Sequence, residues 1–204
     1  MMGKTHIAVG IAAAYMIMQP KSTTEFVVAT VSGSIGGIMA DVDVKIDRSN
    51  KFAQKASMDA LYGEILAITI SICALIGDYF TGGQVIPNIT SHWQTALIGA
   101  VVFIVLTVIG ENSKHRDRTH SILALALFTV SVALISIPVG IAFLIGYGTH
   151  LLIDLLNKSP IRVLYPLKKG ICFKACYADR LGNELLLAGG VGIIVLYLIL
   201  HSLL

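Results

Sequence analysis

The stretch GENSKHRDRTHSILALAL, residues 110 to 127, sets two histidines, two arginines and an aspartate against the start of an apolar run. The pair Thr-His recurs in KTHIAVG, RTHSILA and GTHLLID, so three of the six histidines follow a threonine at the edge of an apolar segment. Carboxylates stand at similar borders: Asp41 and Asp43 in ADVD, and Asp154 in HLLID. Imidazole and carboxylate together suit divalent zinc, manganese or iron, so the chemistry these residue types can share is ion binding. His150 and Asp154 are four apart and fall on one helix face. Asp41 and Asp43 point the same way if the chain leaves its helix extended. His115 and His120, five apart, serve together if one of them lies in a loop. Four histidines (His6, His115, His120, His150) and three aspartates (Asp41, Asp43, Asp154) exceed one tetrahedral ion. Two divalent ions about 3.5–4 Å apart would use them all and offset the negative charge.

Each feature has a plainer reading. A histidine at a membrane border is commonly an interfacial hydrogen-bonder, and a D-x-D often only begins a loop. His150-x3-Asp154 carries more weight, because a carboxylate inside an apolar helix is costly and usually has a partner. Arg116 and Arg118 flank the histidines. A guanidinium grips phosphate oxygens in a forked geometry, which beside metal ions fits a phosphate ester. Arg118 is read instead as a loop charge. Glu64 and Glu184 fall near the same border, as further ligands, a general base, or helix-end carboxylates; at a helix start Glu184 is favoured by the dipole. His92 and His201 map to the opposite side.

The elements that must position these groups are apolar. Hydrophobic residues make up 55 % of the 204-residue chain and charged residues 13 %, against about 25 % charged in soluble domains. Apolar runs at 5–18, 25–40, 61–80, 95–110, 120–137, 139–156 and 184–203 are spans or near-spans. The expectation is an all-α polytopic membrane protein with about six or seven transmembrane helices, forming a single integral membrane domain over residues 1–204. The 5–18 run is the shortest; without a convincing cleavage site it reads as a retained first helix rather than a signal peptide. Pro138 divides two runs that have no polar loop between them, which predicts a tight helical hairpin. The patches GSIGG and GGVGI suggest close helix–helix contact.

With seven spans, fourteen of the fifteen lysines and arginines fall on the side of the N-terminus, and only Lys21 on the other. The positive-inside rule places that side in the cytoplasm. His6, Asp41, Asp43, His115, His120, His150 and Asp154 all map there, delivered by four separate helix ends. The net charge of +3 gives no indication of nucleic acid. Cys73 lies in an apolar run and reads as a small buried hydrophobe, and Cys172-x3-Cys176 lacks the Cys-x2-Cys spacing of structural zinc sites.

On these residues the chain resembles the YdjM-like family of membrane-bound metal-dependent hydrolases, also described as LexA-regulated inner-membrane proteins. The family pattern is an N-terminal Gly/Thr-His, then D-x-D, then H-R-x-x-T-H-S, then H-x-x-x-D followed by proline. Here it reads Thr5-His6, Asp41 to Asp43, His115-Arg116 through Thr119-His120-Ser121, and His150 to Asp154 with Pro160 and Pro166. Asp117 stands where the family commonly has glycine, and two apolar segments separate the D-x-D from the His-Arg element. The family is distantly similar to zinc-dependent phospholipases C. The resemblance implies hydrolysis of a phosphoester, with a phospholipid among the candidates, in the inner membrane of a bacterium or archaeon. Zinc would be the leading ion, manganese or iron the alternatives. The expected mechanism has two ions, held by the seven residues, lowering the pKa of a shared water that attacks phosphorus. Arg116 stabilises the developing charge, and Asp41 or Asp43 takes the proton. The rivals are a carrier of ions or small solutes, which needs polar groups reaching the far side, and a non-catalytic protein with a structural ion or a docking role for the basic loops. The absence of HExxH argues against an intramembrane metalloprotease.

Overall fold

The structure is a computed structural model that describes residues 2–45, 48–49, 51–175 and 181–202. Cys176 lies outside the described residues, as does part of the basic segment before the last helix. Each apolar run forms a helix: α1 Gly3–Met18, α2 Thr23–Met39, α3 Lys51–Phe80, α5 Trp93–Glu111, α6 Ile122–Ile135, α7 Ile137–Leu156 and α8 Leu181–Ser202. A short α4, Val85–Thr90, interrupts the expected loop between α3 and α5. Asp78 explains it: this buried side chain at the end of α3 accepts the Val85 N–H (3.1 Å) and so holds the start of α4.

Among the described residues, five stretches are long and apolar enough to cross a membrane: Thr23–Asp43, Ser57–Phe80, Trp93–Glu111, Ile137–Leu156 and Leu181–Ser202. The 16 residues of α1 rise about 24 Å at 1.5 Å per residue, less than the roughly 30 Å of a hydrocarbon core. α1 is enclosed by α2, α3, α7 and α8, with Ile7, Ile11, Ala14 and Tyr15 buried. The outer helices instead present Ile68, Ile72, Val101, Val105, Leu196 and Leu200 outward, as lipid contact requires. Cys73 belongs to that outer face; it is exposed, not buried as its sequence context suggested, because α3 turns only one side to the bundle.

α1 runs against α2. His6 meets Gly37 near the end of α2, Gly10 meets Gly33, and Tyr15 reaches Thr30 about one turn earlier in α2 (2.7 Å). The GSIGG patch lets α2 touch both neighbours: a Cβ on Gly36 would lie 2.4 Å from the Phe143 carbonyl of α7, and one on Gly37 would lie 2.6 Å from the His6 carbonyl of α1. In GGVGI only Gly190 makes such an approach, to Ala8. α6 and α7 form the expected hairpin, broken at Ser136, with Pro138 in the first turn of α7 where its missing N–H costs nothing.

Candidate metal centre

The alternation of helices brings the start of α1, the end of α2, the loop before α6 and the last turns of α7 to one end of the bundle. His6, His120 and His150 are each 0 % exposed there, and Asp43 and Asp154 nearly so. His6 Nε2 lies 3.5 Å from Asp154 Oδ1. His120 Nε2 lies 3.4 Å from Asp154 Oδ2 and 3.6 Å from Asp41 Oδ1. His150 Nε2 lies 3.7 Å from Asp41 Oδ1 and 3.9 Å from Asp154 Oδ2, and its ring stacks on His6 at 3.8 Å. All seven residues expected from the sequence, together with Arg116, are thus gathered in one zone.

The imidazoles are oriented. His150 Nδ1–H donates to the Gly37 carbonyl (2.7 Å). His120 Nδ1–H faces the Thr119 hydroxyl (3.1 Å), which itself donates to Asp43 Oδ2 (2.6 Å). In their neutral form both rings therefore carry their proton on Nδ1 and turn the Nε2 lone pair inward, as ion-ligating histidines do. The Nε2 atoms of His6, His120 and His150 are buried with no hydrogen-bond partner among the described residues. Buried polar atoms are normally paired, and zinc–nitrogen bonds of about 2.0–2.1 Å hold neighbouring donors roughly 3.0–3.4 Å apart. Orphaned nitrogens facing carboxylates at slightly more than that spacing fit a divalent ion.

The D-x-D does not leave its helix extended. Ala40–Asp43 form a 3-10 turn, in which residues two apart point about 120° away from each other. Asp41 accordingly faces the inward nitrogens, while Asp43 faces the loop before α6. There it accepts His115 Nδ1–H (2.7 Å), Thr119 O–H (2.6 Å) and the Arg116 N–H (3.1 Å). Arg116 sits at positive φ (66°), and its guanidinium reaches Asp154 (3.6 Å) and the Ser159 carbonyl (2.8 Å). Asp117, in place of the family's glycine, pairs with Arg162 at 2.7 Å. Arg118 is exposed, Glu64 half-buried on α3, and Glu184 exposed, accepting from Asn183.

Three residues had no sequence assignment. Tyr147, fully buried on α7, donates to the Thr119 carbonyl (2.6 Å). Asn183 receives the Thr5 hydroxyl (2.9 Å) and the Met2 N–H (3.1 Å), which fixes the residue next to His6. Arg162 N–H donates to the Arg116 carbonyl (3.3 Å), so the segment after α7 folds back over the site. The recurring threonines held part of this signal, since Thr5 and Thr119 both spend their hydroxyls on partners of the site.

Burial disfavours a charged His120, but the carboxylates of Asp154, Asp41 and Asp43 outweigh it and hold the imidazole well above the ordinary 6.5. Without an ion, His120 thus stays protonated through neutral pH. The stability from this charge is complete below the ordinary value and is lost as pH rises through the raised one. A divalent ion must displace that proton. Its apparent affinity is expected to climb about tenfold per pH unit until pH passes the raised value, as one released proton requires. Zinc competition titrations across neutral pH check this, and a flat profile would contradict it.

An all-helical, multi-pass membrane protein with a buried histidine–aspartate cluster at one end of its bundle is the class that this fold and site define. Within that class the chain belongs to the YdjM inner membrane protein family, whose profile matches residues 1–203. No curated protein and no solved structure gives a significant match.

Proposed function

We propose that the protein is a metal-dependent hydrolase of the inner membrane that cleaves a phosphoester at the cytoplasmic face. The observation that carries the reading is the set of three buried Nε2 atoms turned toward Asp41 and Asp154, with the Arg116 guanidinium alongside. His6, His120, His150, Asp41 and Asp154 would hold divalent metal, zinc first and manganese or iron as alternatives. A bound divalent ion there supplies Lewis acidity and a water that ionises near neutral pH. Arg116, a fifth exposed and tethered through Ser159, can orient an anionic ester from the open side and stabilise charge on its oxygens. Of the two carboxylates expected to take the proton, Asp41 is the better placed, because Asp43 already accepts three hydrogen bonds.

Location favours a lipid substrate: the site lies at a helix-bundle end beside basic segments that attract anionic headgroups. A carrier finds less support. Asp78, the far-side carboxylate that such a path would use, is committed to the Val85 N–H and faces the Thr24 hydroxyl.

Purified protein, stripped of metal and reloaded with zinc, should hydrolyse an activated phosphodiester or phospholipids in mixed micelles, and a chelator should stop it. Arg116→Lys should cost about 10²–10³-fold in kcat, the scale of losing one positioned charge-stabilising donor, with metal content unchanged. Turnover that survives the chelator, or is absent across phosphodiesters, phosphomonoesters and phospholipids, would remove the hydrolase reading.

A further inference from the structure

We infer that the seven clustered residues divide into five ligands of a single divalent ion and an outer pair, Asp43–His115, that binds none and positions His120. The inference rests on the ion-binding part of the preceding reading, not on hydrolysis.

Among the described residues the donor atoms form three close sets: His6–His150–Asp154, Asp41–His120–His150, and Asp43–His115–His120. The first two share His150. Its Nδ1–H is held by the Gly37 carbonyl, so it has one lone pair, on Nε2, and one neutral imidazole nitrogen holds one ion. The two sets are therefore halves of one site, in which His6, His120, His150, Asp41 and Asp154 surround a common point. The separations among their facing atoms, 3.4 to 3.9 Å, are too long for good hydrogen bonds and suit neighbouring ligands.

The third set is different. His115 Nδ1 and Asp43 Oδ1 are 2.7 Å apart, hydrogen-bonded to each other, which is closer than two ligands of one ion approach. The second oxygen of Asp43 is taken by Thr119 and the Arg116 N–H. His120 contributes only Nδ1 to this side, through the Thr119 hydroxyl. The chain His120–Thr119–Asp43 is an outer support that fixes the ring and raises its basicity. Tyr147 anchors Thr119 from below. His115, with its side chain 41 % exposed against 0 % for Asp43, closes the support on the solvent side.

Charge agrees. One divalent ion neutralises Asp41 and Asp154, and Asp43 is left to its three N–H and O–H donors. One ion replaces the two that counting donors in the sequence suggested.

The test is stoichiometry, read independently of turnover. Full-length protein in detergent is stripped, reloaded with zinc, desalted and analysed for metal per chain, with affinity from chelator competition. One zinc per chain is expected. His115→Ala should keep it with affinity changed less than about threefold. Asp43→Asn should keep it with affinity weakened about 10–100-fold, as for other outer partners. Its cobalt-loaded form should also show a shifted visible spectrum, which a general loss of stability would not produce. Asp154→Asn should bind none. Should that buried variant misfold, wild-type stoichiometry and the exposed His115→Ala variant still decide. Two zinc ions per wild-type chain, loss of an ion in His115→Ala, or no zinc bound by the wild type would each overturn the inference. One bound zinc without any hydrolysis would leave it standing and remove only the hydrolase reading.

Discussion

His150→Ala is expected to abolish both ion binding and hydrolysis while the helices remain assembled. His150 is the donor common to both buried sets, so its loss breaks each three-donor set and takes one of the five ligands from the single site. Rates should fall by at least about 10³-fold, well beyond the 10–100-fold typical of an outer partner. The ring also stacks on His6, and removing it leaves a cavity between α1 and α7. That should cost roughly 2–4 kcal/mol, as other large-to-small changes do in buried sites. Metal analysis, a phosphodiester assay and a size-exclusion profile on the same preparation separate these effects. A variant that retains its ion and normal turnover would exclude His150 from the site.

Gly36→Ala should be nearly as damaging although Gly36 contributes no donor. Its new Cβ would stand 2.4 Å from the Phe143 carbonyl and 3.0 Å from the Tyr147 nitrogen, both backbone atoms that cannot swing aside. α2 and α7 must separate, and the 3-10 turn that continues α2 carries Asp41, 3.7 Å from His150 of α7. Overpacking of this kind costs about 1–3 kcal/mol or more, so the thermal midpoint in detergent and the zinc affinity should fall together. Gly192→Ala is the control. Nothing lies within 4 Å of its Cβ position, and alanine is the better helix former by about 1 kcal/mol. Equal behaviour of the two variants would contradict the close crossing.

The apolar runs were legible because hydropathy reports which residues lipid and neighbouring helices can surround. They marked the seven long helices but not the first ten residues of α3, KFAQKASMDA, where the helix continues out of the apolar zone. α4 was illegible for a related reason: it depends on Asp78 capping it from seven residues away, which no local pattern announces. At the site, residue types and borders indicated which groups would meet. They did not indicate how Asp41 and Asp43 would part, since that follows from a 3-10 turn rather than the extended exit that would have kept them together. Nor could they assign Tyr147, Asn183 or Arg162, whose roles depend on partners 28 to 178 residues distant. The basic segment after α7 carries no local pattern that announces a contact. Its contact with the Arg116 carbonyl appears only once α6 and α7 have folded into their hairpin.

The enclosure of α1 has a consequence for biosynthesis. The first helix made is the one most surrounded by the rest, and its Thr5 hydroxyl is held by Asn183, 178 residues later. At about 5–20 residues per second, the opening of the chain waits on the order of ten to thirty seconds for that partner. Until α7 is made, His6 has no Asp154 and Asp41 has no His150, so nascent chains expose the polar donors in fragments at the membrane surface. The donor cluster has all its residues once α7 is made, but a ribosome that stops before α8 releases a chain in which Thr5, the neighbour of His6, lacks its anchor.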